Sequence, residues 1–123
     1  MKKIVIAEDD PPSAELMCDF LTAHHYDVTV ACDGAEAVRK IEQVSPHLIL
    51  LDIQMPVLDG FAVLRWLKNQ PALSAIPVAA LTAYAMRGDR ERILNAGFDA
   101  HIPKPVDVAA LPGQLQSLLD RAR

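Results

Sequence analysis

The chain has 123 residues, of which 51% are hydrophobic and 23% charged, the proportions of an ordinary globular protein. This length fits one domain over residues 1–123, and no segment approaches the roughly 20 apolar residues that span a bilayer. A formal net charge of −4 without a dense block of Lys and Arg argues against nucleic-acid binding.

The first half of the chain contains three predicted strands, at residues 4–7, 28–30 and 47–51. The first is an apolar run, the second alternates with Val28 and Val30, and the third is apolar after His47, as expected for a buried central strand. Pro11-Pro12-Ser13 indicates a helix start after the first run, and this helix is expected to end near His24-His25. The residues expected to face the core from this helix are Leu16, Phe20 and Leu21. Asp33 is a predicted cap for a second helix, which Pro46 prevents from continuing.

The second half repeats the alternation of apolar runs and helical patterns. Strands are predicted at residues 77–81 and 100–102, and helices at residues 60–67 and 87–96, the latter stopped by Gly97. Asp107 is a predicted cap for a last helix. The apolar residues of that helix are Leu111, Leu115, Leu118 and Leu119.

Five strand–helix alternations predict an α/β fold with right-handed crossovers and helices on both faces of a parallel sheet. Two doubly wound strand orders are common, and the flavodoxin-like order 2-1-3-4-5 needs only five strands. We therefore expect a five-stranded flavodoxin-like sheet and five helices in a three-layer sandwich.

Isolated polar residues follow the predicted strands at their carboxyl ends, the edge where open α/β sheets place their chemistry. These residues are Asp9, Asp10, Asp52, Thr82 and Lys104. Carboxylates at close range repel one another unless a cation neutralises them, and oxygen ligands without His or Cys favour Mg²⁺. Because no glycine-rich loop follows the first strand, a nucleotide or flavin site is disfavoured. The pattern predicts a Mg²⁺ site that handles phosphate.

Four segments together resemble the receiver domain of bacterial two-component response regulators. They are EDDPPSAEL, LILLDIQMPVLDG, AALTA and HIPKP, in family order and at family-like separations. The resemblance implies that Asp52 accepts a phosphoryl group from a phosphohistidine donor. It further implies that Asp9 and Asp10 hold Mg²⁺ together with Asp52 and the backbone carbonyl of Gln54.

The resemblance also assigns roles to residues around the acceptor. Thr82 and Ala83 would contact the phosphoryl group and signal its presence, and Lys104 would pair with it. The peptide bond from Lys104 to Pro105 is expected to be cis. Only about 5–6% of X–Pro bonds in folded proteins are cis, so this expectation is specific. The residues expected to shape the loop after Asp52 are Pro56, Asp59 and Gly60, with Asp59 as a helix cap.

One position departs from the family pattern. His101 stands where many receivers carry Tyr or Phe three residues before the motif lysine, and imidazole is smaller and titrates near neutral pH. An aromatic switch is therefore in doubt, and we expect His101 to pack differently. Gln54 and Tyr84 are expected to tune the lifetime of the phosphoryl group by controlling water access.

Two other functions remain as alternatives to a phosphoacceptor switch. A haloacid-dehalogenase-type phosphatase needs a second aspartate two residues after the nucleophile, but position 54 is Gln. A degenerate receiver that only binds proteins predicts loss of Asp52 or Lys104, and both are present. We expect a switch rather than an enzyme.

The expected partners are a sensor histidine kinase or histidine phosphotransfer protein and a downstream protein target. We expect no output domain after the last predicted helix, so the target is expected to bind around the fourth helix and fifth strand, where residues 83–86 are apolar. The chain is expected to be a monomer or a weak phosphorylation-dependent dimer. Cys18 and Cys32 lack metal-ligand spacing, and without a signal peptide we expect reduced thiols and a cytoplasmic location.

Overall fold

The structure, a computed structural model, describes residues 1–83 and 88–121. Strands and helices alternate along this part of the chain. They are β1 (Lys3–Ala7), α1 (Pro11–Ala23), β2 (Asp27–Ala31), α2 (Gly34–Val44), β3 (Leu48–Asp52), α3 (Gly60–Lys68), β4 (Val78–Thr82), α4 (Asp89–Ala96), β5 (Ala100–Pro103) and α5 (Leu111–Arg121). None of the described helices has the length and apolar character needed to cross a membrane.

The strands form a single sheet in the order β2-β1-β3-β4-β5, with every neighbouring pair parallel. This is the flavodoxin-like order predicted from the alternation. After β2 is added on one side of β1, β3 and the later strands are added on the other side, so the strand order reverses between β1 and β3. The register of this pair aligns Ala7 with Leu51. The carboxyl ends of β1 and β3 therefore lie side by side at the switch point of the sheet.

Two hydrophobic layers cover the sheet, and β3 contributes to both. Ile49 and Leu51 pack into the layer formed with α2, α3 and α4. Leu48 and Leu50 pack into the layer formed with α1 and α5. All five residues of β3 are buried, as expected for a central strand with helices on both faces.

The helix boundaries follow capping chemistry. Asp33 accepts a hydrogen bond from the Glu36 N–H at 2.8 Å, which confirms the predicted cap of α2. Asp59 caps α3 by accepting from the Ala62 N–H at 2.9 Å, and Gly97 ends α4 with a left-handed φ of 115°. Cys18 and Cys32 are both free thiols.

One predicted helix start differs from the structure. α5 begins at Leu111, four residues after Asp107, because Pro112 lacks an N–H and fits only the first turn of a helix. Asp107 instead accepts from the Ala109 N–H at 3.1 Å in the preceding turn. α4 is described from Asp89, and Arg87, where its start was predicted, lies outside the described residues.

The predicted buried face of α1 is wrong at Leu16. The buried residues of α1 are Ala14, Met17 and Leu21, which recur at helical spacing along one stripe. Leu16 lies off this stripe and is 56% exposed. Phe20 is half-buried and stacks on His24, with ring centroids 4.5 Å apart.

Candidate functional site: an acidic cluster at the carboxyl edge of the sheet

Asp52 is the last residue of β3 and is buried, with 3% of its surface exposed. Its Oδ1 accepts a hydrogen bond from the Gln54 backbone N–H at 2.9 Å. Its Oδ2 accepts one from Lys104 Nζ at 2.7 Å. A carboxylate held in this way at the end of a central strand is fixed in position beside the lysine cation.

Three carboxylates converge at this edge of the sheet. Glu8 is 1% exposed, and Asp9 follows it at the surface. One carboxylate oxygen from each of Glu8, Asp9 and Asp52 lies within 4.8 Å of the others. Such a set is electrostatically costly by itself and matches the all-oxygen ligation that Mg²⁺ takes.

Glu8 provides a direct test of whether the cluster fits a cation. Its Oε1 lies 2.6 Å from Lys104 Nζ. Even so, neither Glu8 carboxylate oxygen has a hydrogen-bond partner of good geometry within residues 1–83 and 88–121. Buried polar atoms in proteins are normally hydrogen-bonded, so these oxygens are ready to ligate a cation. The donor set fits Mg²⁺.

The electrostatics of the cluster are those of two acids around one base. Burial, and after it the nearby Asp52 carboxylate, raise the pKa of the Glu8 carboxyl to about 7 against the opposing effect of Lys104. Burial alone would lower the pKa of Lys104, but its close contacts with the Asp52 and Glu8 carboxylates outweigh this effect and raise it. Lys104 therefore stays charged, and Glu8 exchanges its proton near neutral pH.

Asp10, expected to be the second metal ligand, lies outside this cluster. It is the exposed N-cap residue of α1, and its Oδ2 accepts from the Ser13 hydroxyl at 2.5 Å. The structure brings Glu8 rather than Asp10 to Asp9 and Asp52. A sequence signal was available: Glu8 directly follows Ala7, the last residue of β1, whereas Asp10 already adjoins the helix.

Lys104 reaches the cluster from the loop after β5. Its backbone N–H donates to the Thr82 carbonyl at 2.8 Å, which ties this loop to the end of β4. The following peptide bond, Lys104–Pro105, is cis, as the resemblance implied. The Lys104 side chain thus bridges Glu8 and Asp52, which belong to different parts of the sequence.

Thr82 and His101 lie on the two strands beyond β3. Thr82 ends β4 and is 2% exposed, one register step beyond the Leu81 that aligns with Asp52. Ala83 follows it at the surface, and Tyr84 lies outside the described residues. His101 aligns with Ala80 on β4 and is half-buried. Its Nε2 is buried without a hydrogen-bond partner among the described residues.

The loop after Asp52 packs tightly on the end of β3. Gly60 begins α3, and a Cβ there would lie 2.6 Å from the Asp52 carbonyl oxygen. Pro56 accepts from the Leu58 N–H at 2.9 Å across Val57, whose φ is 72°. This i to i+2 bond with positive φ is a classic-type γ-turn, a strained conformation for a β-branched residue.

Comparisons with known proteins show which family this chain is similar to. The sequence model of the response regulator receiver domain matches residues 4–116. The polar-differentiation response regulator DivK of Brucella anthropi is 39% identical over 121 residues, which cover 98% of both chains.

Two solved structures extend the comparison to three dimensions. A Francisella response regulator receiver domain superposes with a TM-score of 0.92 at 29% identity and covers 100% of both chains. The receiver domain of a Pseudomonas aeruginosa sensor histidine kinase, solved with a magnesium ion coordinated in its active site cleft, has a TM-score of 0.88. It is 36% identical and covers 97% of this chain and 98% of its own.

Proposed function

The chain belongs to the response regulator receiver family, and we propose that it accepts a phosphoryl group on Asp52 and thereby changes its affinity for a partner protein. The observation that carries this proposal is the buried Asp52 carboxylate, held by Lys104 within a cluster of carboxylates that fits Mg²⁺. Residues 1–123 act together as one receiver domain.

The reaction is a phosphoryl transfer from a histidine to Asp52. A carboxylate oxygen of Asp52 attacks the phosphorus of a phosphohistidine, so that a P–O bond forms and the P–N bond breaks. The electron pair of the P–N bond stays on the donor nitrogen, and the imidazole, protonated on its other nitrogen, leaves as a neutral ring. The protein contributes mainly positioning and electrostatic stabilisation.

The carboxylates of Glu8, Asp9 and Asp52 and the backbone carbonyl of Gln54 would hold Mg²⁺. When bound, this ion neutralises the clustered carboxylates and binds phosphoryl oxygens. Lys104 would move its contact from Asp52 Oδ2 to a phosphoryl oxygen. Thr82 would donate its hydroxyl to another oxygen beside Ala83, and Gln54, exposed at the rim, would control the access of water.

The donor would be a sensor histidine kinase or a histidine phosphotransfer protein. A cavity of about 130 Å³ beside the acidic cluster is lined in part by Glu8, Leu16, Lys104 and Pro105. The exposed Leu16 therefore lies next to the reacting groups. Burial of this apolar side chain against the helix that carries the phosphohistidine would bring the donor to Asp52.

The output would be the binding of a downstream protein, with the chain acting as a monomer or a weak phosphorylation-dependent dimer. The surface proposed for this contact includes α4 and β5. Residues 84–86 of the apolar segment expected there lie outside the described residues. We propose that His101 takes part in the switch through its buried Nε2, which has no hydrogen-bond partner among the described residues. Unchanged beryllofluoride-induced amide shifts in His101→Ala would exclude this role.

Acetyl phosphate with Mg²⁺ distinguishes a phosphoacceptor from a phosphatase. Intact-mass measurement is expected to show one added phosphoryl group in the wild type and none in Asp52→Asn. Asp59→Asn, which alters an exposed helix cap, is expected to label like the wild type. Many turnovers on p-nitrophenyl phosphate without a stable adduct would contradict the proposal and support a phosphatase.

A further inference from the structure

A side-chain cluster outside the acidic site joins α3 to α4. Phe61, the second residue of α3, packs edge-on against Phe98, with ring centroids 5.8 Å apart and an interplanar angle of 77°. The Arg92 guanidinium of α4 lies over the Phe61 ring, 5.5 Å from its centroid. Both geometries are favourable for an aromatic ring, whose edge is positive and whose face is negative. We call Phe61, Arg92 and Phe98 the Phe61 cluster.

The Phe61 cluster is tied to the acceptor strand through the residue before Phe61. The Gly60 N–H donates to the Ile53 carbonyl at 2.9 Å. A Cβ on Gly60 would lie 2.6 Å from the Asp52 carbonyl oxygen and 2.7 Å from Ile53 Cα. Because the two backbones are in such close contact, a displacement at Asp52 or Ile53 has to displace the start of α3, and Phe61 with it.

α4 has one buried anchor in the core. Of the eight residues of α4, all of them described, Ile93 alone is buried. A helix of this length has little stability of its own, so tertiary contacts decide where it lies. The contact of Arg92 with the Phe61 ring is one of these tertiary contacts.

The space beside the Phe61 cluster allows Arg92 to change position without repacking of the core. A cavity of about 420 Å³ lies there, lined by Ile53, Gln54, Met55, Asp59, Phe61 and Arg92. Gln54 at one side of it donates its backbone N–H to Asp52 Oδ1. The cavity thus extends from Gln54, which is bonded to the acceptor, to the Arg92 side chain.

We propose that Phe61 is a positioning residue that couples the state of Asp52 to α4 through Arg92. This inference rests on the proposed function, because it requires a group to be bound at Asp52. The coupling runs through the loop after β3 and the start of α3, on the face of the sheet that carries α4. It is separate from the Thr82 hydroxyl and from His101.

The test uses the full chain with Mg²⁺ and beryllofluoride, a phosphoryl mimic, and follows backbone amide shifts. The variants are Phe61→Leu, which keeps apolar volume without an aromatic face, and Arg92→Gln. The matched control is Phe20→Leu, which removes an aromatic ring stacked on His24 in α1. In Phe61→Leu we expect unchanged shifts at residues 53–60 and shifts at residues 88–97 reduced by about two- to fivefold.

The two variants are also combined, since Arg92 makes further contacts. If both act through one contact, the double variant loses no more of the response of residues 88–97 than Phe61→Leu alone. An undiminished response of residues 88–97 in both single variants, or an equal loss in Phe20→Leu, would overturn the inference. Absence of shifts at residues 53–60 in the wild type would instead contradict the proposed function, and the inference with it.

Discussion

When no cation is bound, Glu8 is the residue of the acidic site whose charged form is least favourable. Its carboxyl is buried, and burial together with the Asp52 carboxylate raises its pKa from 4.5 to about 7, an effect that Lys104 only partly offsets. The native state then binds the Glu8 proton more tightly than the unfolded chain does. The contribution of Glu8 to stability is therefore greatest at low pH and is lost as the pH rises from about 4.5 through 7.

The first prediction follows from this shift. Without metal, Glu8→Gln is expected to gain stability relative to the wild type between about pH 5 and pH 8, by on the order of 3 kcal/mol. The neutral amide has the same shape and carries no charge to desolvate. Chemical denaturation in EDTA at several pH values measures this difference. A difference that does not change with pH would contradict it, and saturating Mg²⁺ should stabilise the wild type more than Glu8→Gln.

The second prediction distinguishes the two neighbouring aspartates. Asp9→Asn removes a carboxylate from the cluster and is expected to weaken Mg²⁺ binding at least about tenfold. Asp10→Asn is the matched control, because Asp10 pairs with Ser13 at the start of α1 and should leave Mg²⁺ binding within about twofold. Titration calorimetry gives both affinities. A larger loss in Asp10→Asn than in Asp9→Asn would refute the ligand set.

At the residue scale, the sequence was sufficient to locate Asp52, Thr82 and Lys104 but not the acidic pair. The carboxyl ends of parallel strands share one edge, so polar residues just after apolar runs could be placed there. Whether Glu8 or Asp10 turns into the cluster depends on where β1 stops and α1 starts. Boundaries of this kind are the least reliable part of a sequence-based prediction.

α1 shows the same limitation at the scale of an element. The pattern correctly predicted a helix, but it placed Leu16, Phe20 and Leu21 on the buried face. The stripe that packs against the core instead contains Ala14, Met17 and Leu21. Leu16 was left at the surface beside the acidic site. The residue that sequence periodicity assigned to the core is thus the one available to a donor protein.

The third prediction tests this assignment of burial. Leu16→Ala is expected to change the free energy of unfolding by less than about 0.5 kcal/mol, because the side chain is largely exposed. Leu21→Ala in the same helix removes a fully buried side chain and is expected to cost about 2–5 kcal/mol. Urea denaturation of both variants measures the difference. Similar losses of unfolding free energy in Leu16→Ala and Leu21→Ala would show that Leu16 is buried in the core, contrary to the prediction.

The fourth prediction concerns the contact between α2 and the loop after β3. A Cβ on Gly34 would lie 2.0 Å from the Leu58 carbonyl oxygen, so Gly34→Ala is expected to destabilise by about 1–3 kcal/mol through overpacking. Gly113→Ala is the matched control: it meets open space in α5 and is expected to stabilise by about 0.5–1 kcal/mol. Thermal unfolding of both variants measures these changes in stability. If Gly34→Ala is as stable as the wild type, the loop moves away from the added methyl group at little cost, and the prediction is wrong.

At the scale of the whole molecule, the alternation of strands and helices predicted the fold class and the strand order. Both follow from general rules on crossover handedness and switch points rather than from individual contacts. The same rules could not predict that Lys104 bridges Glu8 and Asp52, because that contact depends on side-chain conformation and loop geometry. These rules could not predict the Phe61 cluster either, because an arginine in a polar helix, such as Arg92, is normally expected to be a solvated charge.

The central claim is that Asp52 is a Mg²⁺-dependent phosphoacceptor. Phosphoramidate, whose P–N bond imitates that of phosphohistidine, tests it when the modified residue is located by peptide mass spectrometry. We expect a single phosphoryl group on Asp52 with Mg²⁺, little or no labelling in EDTA, and none in Asp52→Asn. Labelling of another residue, or equal labelling of Asp52 with and without Mg²⁺, would contradict it.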